Sequence, residues 1–121
     1  MAIHLATGWI QAGQDYLNPY SALGISPERM KQEFLKDMSR ATRDAIHFVP
    51  AHDHLNAHRR AVLIVMAYHL GAEIHENLRL KLALLAGRCA EAALESLTDS
   101  WRKKVGDAAA IKYARILWKG E

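Results

Sequence analysis

From Ala51 to Glu121 the chain contains no proline; Pro19, Pro27 and Pro50 all lie in the first 50 residues. Proline removes an amide hydrogen and its ring collides with the preceding helical turn, so a long proline-free stretch is free to be helical. The residues that fill the chain favour that outcome. It holds 20 Ala and 15 Leu against 15 Val, Ile and Thr together. Ala and Leu give up little side-chain freedom in a helix, whereas β-branched residues lose more. With 121 residues, 50% hydrophobic and 24% charged, the chain has the length of one domain and enough apolar surface to bury roughly two-thirds of its unfolded area. The expectation is a single all-α domain over residues 1–121, a compact bundle of four to five helices. The composition excludes a disordered tail, a collagen-like repeat and a cysteine scaffold.

Punctuation places the helices. Leu5, Trp9, Ile10, Ala12, Tyr16 and Leu17 suggest a first one, broken at Asn18-Pro19. Ser26-Pro27-Glu28 is a helix start: a side-chain acceptor at the cap, proline at the first helical position and an acid near the positive end of the dipole. Met30, Phe34, Met38, Ala41, Ala45 and Phe48 then recur at the spacing of one helix face, until Pro50. A third helix is expected from Asp53 to Leu70, a fourth from Glu73 to Leu97 and a fifth from Ser100 to Trp118, with Asp53 and Asp99 as caps. Gly71 leaves open whether the third and fourth are continuous. Residues Leu78 to Leu84 alternate as a strand would, but Leu78, Leu82, Leu85, Cys89, Ala92 and Leu97 fit helical spacing, so the segment is read as helix. The apolar run Ala61 to Tyr68 is the expected central element. It is too short to span a bilayer. Ala83, Ala86, Gly87, Ala90 and Ala93 form a small-residue face suited to close packing within the chain.

A lone cysteine, Cys89, suits a reduced cytoplasmic interior and reads as a small buried hydrophobe. No basic segment precedes the N-terminal apolar stretch, so neither a signal peptide nor a membrane anchor is expected. The formal charge of +3 is uneven: residues 98–121 alone carry +3, and the other segments nearly cancel.

Seven histidines are the most unusual count, and all but His4 lie within residues 47–75. If residues 53–76 were helical, His54 and His58, and His69 and Glu73, would each be one turn apart, the spacing with which a helix offers two metal ligands. From His54 to Glu73 such a helix would run about 28 Å, too far for the two pairs to share a metal, and no repeated Glu-x-x-His pattern supports a binuclear centre. They are read as polar-face histidines, with no metal and no cofactor assigned. Arg40 and His47 resemble the Arg-x(4–6)-His pair of the HEPN family of helical ribonucleases, which implies metal-independent RNA cleavage. The resemblance covers eight residues, comes early in the chain rather than late, and has Ala41 where a polar residue usually follows the arginine. No phosphate loop, nucleophile elbow, CxxC or HExxH is present. No catalytic residue is assigned, and an enzyme is not the expectation.

The last helix is the more informative surface. Trp101, Val105, Ala108 and Ala109 cluster on one side of a helical wheel, but Lys112, Arg115 and Lys119 occupy that side further on, where Ile111, Ala114, Leu117 and Trp118 take another. One straight helix cannot bury both halves against the same neighbour. Either it bends near Gly106 or its second half projects. A projecting half would present Ile111, Lys112, Tyr113, Arg115, Leu117 and Trp118 to a protein partner or a second copy, since aromatic residues and arginine dominate such contacts. The expectation is therefore a non-enzymatic protein-binding role. Nucleic acid on the basic stripe is the alternative, and a metal-binding or ribonuclease-like enzyme the second.

Overall fold

The computed structural model of the chain describes residues 24, 26–50 and 55–121; the expected first helix, the Asp53 cap and His54 lie outside them. The described residues are all-α. Helix α1 spans Pro27–Phe48, α2 Ala57–Leu70, α3 Leu78–Leu85, α4 Cys89–Ser96, α5 Asp99–Val105 and α6 Asp107–Lys119, with a 3₁₀ turn over Gly71–Glu76 between α2 and α3.

α1 begins as its sequence signals. The Ser26 hydroxyl accepts a hydrogen bond from the Arg29 amide at 3.3 Å, Pro27 occupies the first position and Glu28 sits in the first turn. Met30, Met38, Ala41, Ala45 and Phe48 are buried, and the helix stops at Val49, before Pro50. Phe34, on the same expected face, is half-buried, its ring edge-on to Tyr68 with centroids 6.4 Å apart.

α2 starts later than the spacing predicts because Asn56 provides the cap, its side-chain oxygen accepting from the Arg59 amide at 2.9 Å. Ala61, Val62, Leu63, Val65, Met66 and Ala67 are buried, and α1, the 3₁₀ turn, α5 and α6 all pack around it. The apolar run is therefore the central element, as a helix without a polar face must be. Gly71, at φ 58° and ψ −136°, leaves the helical region, so the third and fourth expected helices are not continuous.

The fourth expected helix, Glu73 to Leu97, is three pieces: the rest of the 3₁₀ turn, α3 and α4. α3 ends in a Schellman turn, the Arg88 amide donating to the Ala83 carbonyl at 2.9 Å and the Gly87 amide to Leu84 at 3.1 Å. The small-residue face is interrupted there: Ala83 and Ala93 are buried, whereas Ala86, Gly87 and Ala90 are exposed. The segment from Leu78 to Leu85 is helical, as its spacing predicts, with two leucine sets on different sides. Leu80, Ala83 and Leu84 face the core, and Leu78, Leu82 and Leu85 face outward. Asn77 caps α3 through its oxygen, which accepts from the Leu80 amide at 3.1 Å, and its NH₂ donates to the Glu95 carbonyl at 2.9 Å. The start of α3 is thus bonded to the end of α4, which makes the two an antiparallel hairpin.

The fifth expected helix breaks at Gly106, whose φ of 86° and ψ of 155° lie in a region that costs a side-chain-bearing residue on the order of 1–3 kcal/mol. The Thr98 hydroxyl, rather than Asp99, caps α5 by accepting from the Trp101 amide. Across the break, Arg102 Nε donates to Asp107 Oδ1 at 3.0 Å, and this bond holds the Arg102 guanidinium above its ordinary pKa. The bend lets α5 bury Trp101 while α6 buries Ala110, Ala114, Ile116 and Leu117. Phe48, Leu63, Met66, Ile74, Leu80, Trp101, Ile116 and Leu117 are the largest fully buried side chains, each contributing about 1.5–3 kcal/mol of transfer free energy. Among the described residues no helix is long and apolar enough to cross a membrane.

Candidate functional site

The six residues expected to form a contact on the last helix separate by face. Leu117 is fully buried and Tyr113 is half-buried, its ring 5.9 Å from the ring of Trp101. Leu117 therefore has no surface to offer a partner, and Tyr113 offers only part of its ring. α6 does not project: having turned at Gly106, it lays its Ala110, Ala114 and Leu117 side against α4 and α2. Ile111 and Trp118 stay 60% and 50% exposed, Arg115 is exposed and Lys112 is half-buried.

The exposed pair does not stand alone. α4 supplies a facing wall of Ala93, Leu94 and Leu97, with Leu94 73% exposed. Between the helices runs an open groove of about 510 Å³, lined by Ala93, Leu94, Leu97, Ile111, Ala114, Arg115, Trp118 and Lys119. Its lining is apolar apart from the two cations along one rim. Lys119 Nζ lies 3.8 Å from the centre of the Trp118 ring, a cation–π contact on one face of the indole. On the other side of Ile111 a second hollow, of about 630 Å³, is lined by Ala108, Ile111, Lys112, Arg115, Ile116, Lys119 and Glu121. Ile111 and Arg115 form the ridge between the two.

The far end of the groove is locked. Arg59, on the first turn of α2, donates from Nε to the Leu117 carbonyl at 2.8 Å and from Nη2 to the Trp118 carbonyl at 2.9 Å. Asn56 donates to the Gly120 carbonyl at 3.0 Å. These carbonyls have no partner in their own helix, and a guanidinium placed on them also answers the negative end of the dipole. Trp118 is therefore set on a backbone tied to the centre of the fold.

The histidine and arginine candidates are dispersed. His58 is half-buried, with Nδ1 lacking a hydrogen-bond partner. His69 lies in an aromatic chain, 4.9 Å from Tyr68 and 5.9 Å from Trp101 between ring centroids. Because α2 ends at Leu70, Glu73 does not continue its face; it accepts a hydrogen bond from the Ser100 hydroxyl. Among the described residues no three His, Cys, Asp or Glu side chains gather as a metal site. Arg40 pairs with Asp44 at 3.4 Å, and His47 is exposed in the last turn of α1. Cys89 is half-buried at the first position of α4 rather than deep in the core.

Two parts of this site are missing from the sequence reading. Leu94 falls off the stripe that runs through Leu97, so it registers as an isolated leucine; its signal is the Ala93, Leu94, Leu97 spacing, which makes one short ridge. Asn56 and Arg59 look like a cap residue and a surface cation, and nothing local connects them to residues about 60 positions away. No known protein family, curated protein or solved structure matches this chain.

Proposed function

We propose that this chain acts by binding another protein, and that the α4–α6 groove takes an apolar helical or extended segment bearing Asp or Glu. The observation that carries the reading is the cluster of Leu94, Ile111 and Trp118, exposed together along a groove rimmed by Arg115 and Lys119. A contiguous exposed apolar patch with a polar rim is the signature of a protein contact, and a tryptophan on a fixed backbone is a frequent energetic centre. The rim is basic, so acids on the partner complement it.

The nucleic-acid alternative is less well served. Lys119 covers a face of the Trp118 ring on which a base would stack, and Asp107 and Glu121 interrupt the basic run. Selection of displayed peptides on the full chain tests the proposal. Enriched peptides should pair apolar residues at three- and four-residue spacing with acids, and Trp118→Ala should weaken them by ~30-fold or more with helicity unchanged. Failure of Trp118→Ala to affect any selected peptide overturns the reading. So does RNA binding that falls steeply with salt and is abolished by Lys112→Glu with Arg115→Glu.

A further inference from the structure

A hollow of about 230 Å³ opens where the end of α2, the 3₁₀ turn and the starts of α3 and α5 meet. Its base is apolar: Met66, Ile74 and Leu80 line it and are fully buried, with Leu70 half-buried beside them. Its mouth is polar, formed by Glu73, Glu76, Asn77, Thr98 and Ser100. At this size it falls below the roughly 300–1,000 Å³ of sites for drug-sized ligands, so it suits a short chain. It shares no residue with the α4–α6 groove.

The polar groups at the mouth are mostly spent on the fold. Asn77 uses its oxygen on the Leu80 amide and its NH₂ on the Glu95 carbonyl. The Thr98 hydroxyl accepts from the Trp101 amide, and the Ser100 hydroxyl donates to Glu73. What is left is acceptor capacity and negative charge. Neither Glu73 nor Glu76 is in an ion pair among the described residues, and the lining described for the hollow contains no lysine, arginine or histidine.

We infer that this hollow binds a small primary amine as its ammonium ion, the apolar tail on the base and the charge at the mouth. An ammonium carries three donors and no acceptor, which two carboxylates answer, and the tail gains by leaving water. The order of the lining sets the direction of entry. A lysine side chain from another protein would enter charge first and leave its ammonium against Met66, Ile74 and Leu80, where an unpaired charge is costly. A free amine enters tail first. A hard divalent cation is not served, because it seeks about six or more oxygen ligands and the base supplies none.

Titration of the full chain with pentylamine, an ammonium ion at neutral pH, tests this by nuclear magnetic resonance of the amides. Signals of Glu73, Ile74, Leu80 and Ser100 should shift and saturate with a Kd of roughly 1–10 mM, a range open to so small a ligand, while those of Leu94, Ile111 and Trp118 stay in place. Pentanoate reverses the charge, and pentane-1,5-diamine carries a second charge onto the base. Each should bind at least ~10-fold more weakly. Nα-acetyl-lysine amide, which must enter charge first, should cause no shift. Glu73→Gln and Glu76→Gln keep the shape and remove one charge each; either should weaken pentylamine about threefold, and the pair about tenfold. Absence of a saturable shift overturns the inference. So does pentanoate, the diamine or the lysine amide binding as well as pentylamine, an affinity unchanged in the double glutamine variant, or shifts gathered at the α4–α6 groove.

Discussion

A methyl group on Gly120 would lie 2.5 Å from Asn56 Nδ2 and 3.1 Å from the Arg59 guanidinium carbon. The backbone there has φ 75°, which only glycine adopts without cost. Gly120→Ala should therefore displace the two side chains that hold the end of α6, and lower stability by about 1–3 kcal/mol in urea denaturation. Gly106→Ala should cost a similar amount, again about 1–3 kcal/mol, for a different reason: no neighbouring atom opposes the new methyl within 4 Å, and the penalty is backbone strain alone. The two glycines share no neighbour, so the double variant should lose the sum of the two costs. At this scale the sequence is readable where one residue does its work locally. Ser26, Pro27 and Pro50 mark the ends of α1 without reference to anything else. Gly120 does not reveal its role, because what constrains it arrives from α2.

At the scale of the helices, two asparagines do the same job. Asn56 and Asn77 each cap a helix with the side-chain oxygen and use the NH₂ to bond a carbonyl at the end of another, Gly120 for the first and Glu95 for the second. One side chain thus both starts a helix and fastens it to a neighbour. Replacing Asn77 by Asp keeps the acceptor and removes the donor. Asn77→Asp should cost about 1 kcal/mol and Asn77→Ala about 2 kcal/mol, the difference being the cap; chemical denaturation of both variants measures it. Helix α3 shows where periodicity fails. Leu78, Leu82 and Leu85 and the set Leu80, Ala83 and Leu84 both repeat at helical spacing, and local sequence does not rank them. The choice is made by tertiary packing, through the 3₁₀ turn that precedes α3 and the hairpin that follows it. The break at Gly106 was legible only as one of two alternatives: the apolar face changes side along the last helix, which either a bend or a projecting second half accommodates, and tertiary packing takes the bend.

For the molecule as a whole, the all-α class follows from the Ala and Leu excess and the proline-free stretch, and α2 is central because its inner run, Ala61 to Ala67, is apolar all round. The candidate site was half legible. Ile111, Arg115 and Trp118 could be picked out as an apolar and basic surface on the last helix, but the wall that turns them into a groove comes from α4 and only the fold brings it there. Wheel position does not say which side a kinked helix turns inward, and α6 turns Leu117 of the expected set into the core and half-buries Tyr113. Nuclear magnetic resonance amide mapping with a peptide selected on the full chain locates the contact on the protein. Binding at the groove should move the signals of Leu94, Leu97, Ile111 and Trp118, including the Trp118 indole, and leave those of Leu78, Leu82 and Leu85 in place. Shifts gathered on α3, or along Arg102, Lys103 and Lys104 with the groove unmoved, would contradict it.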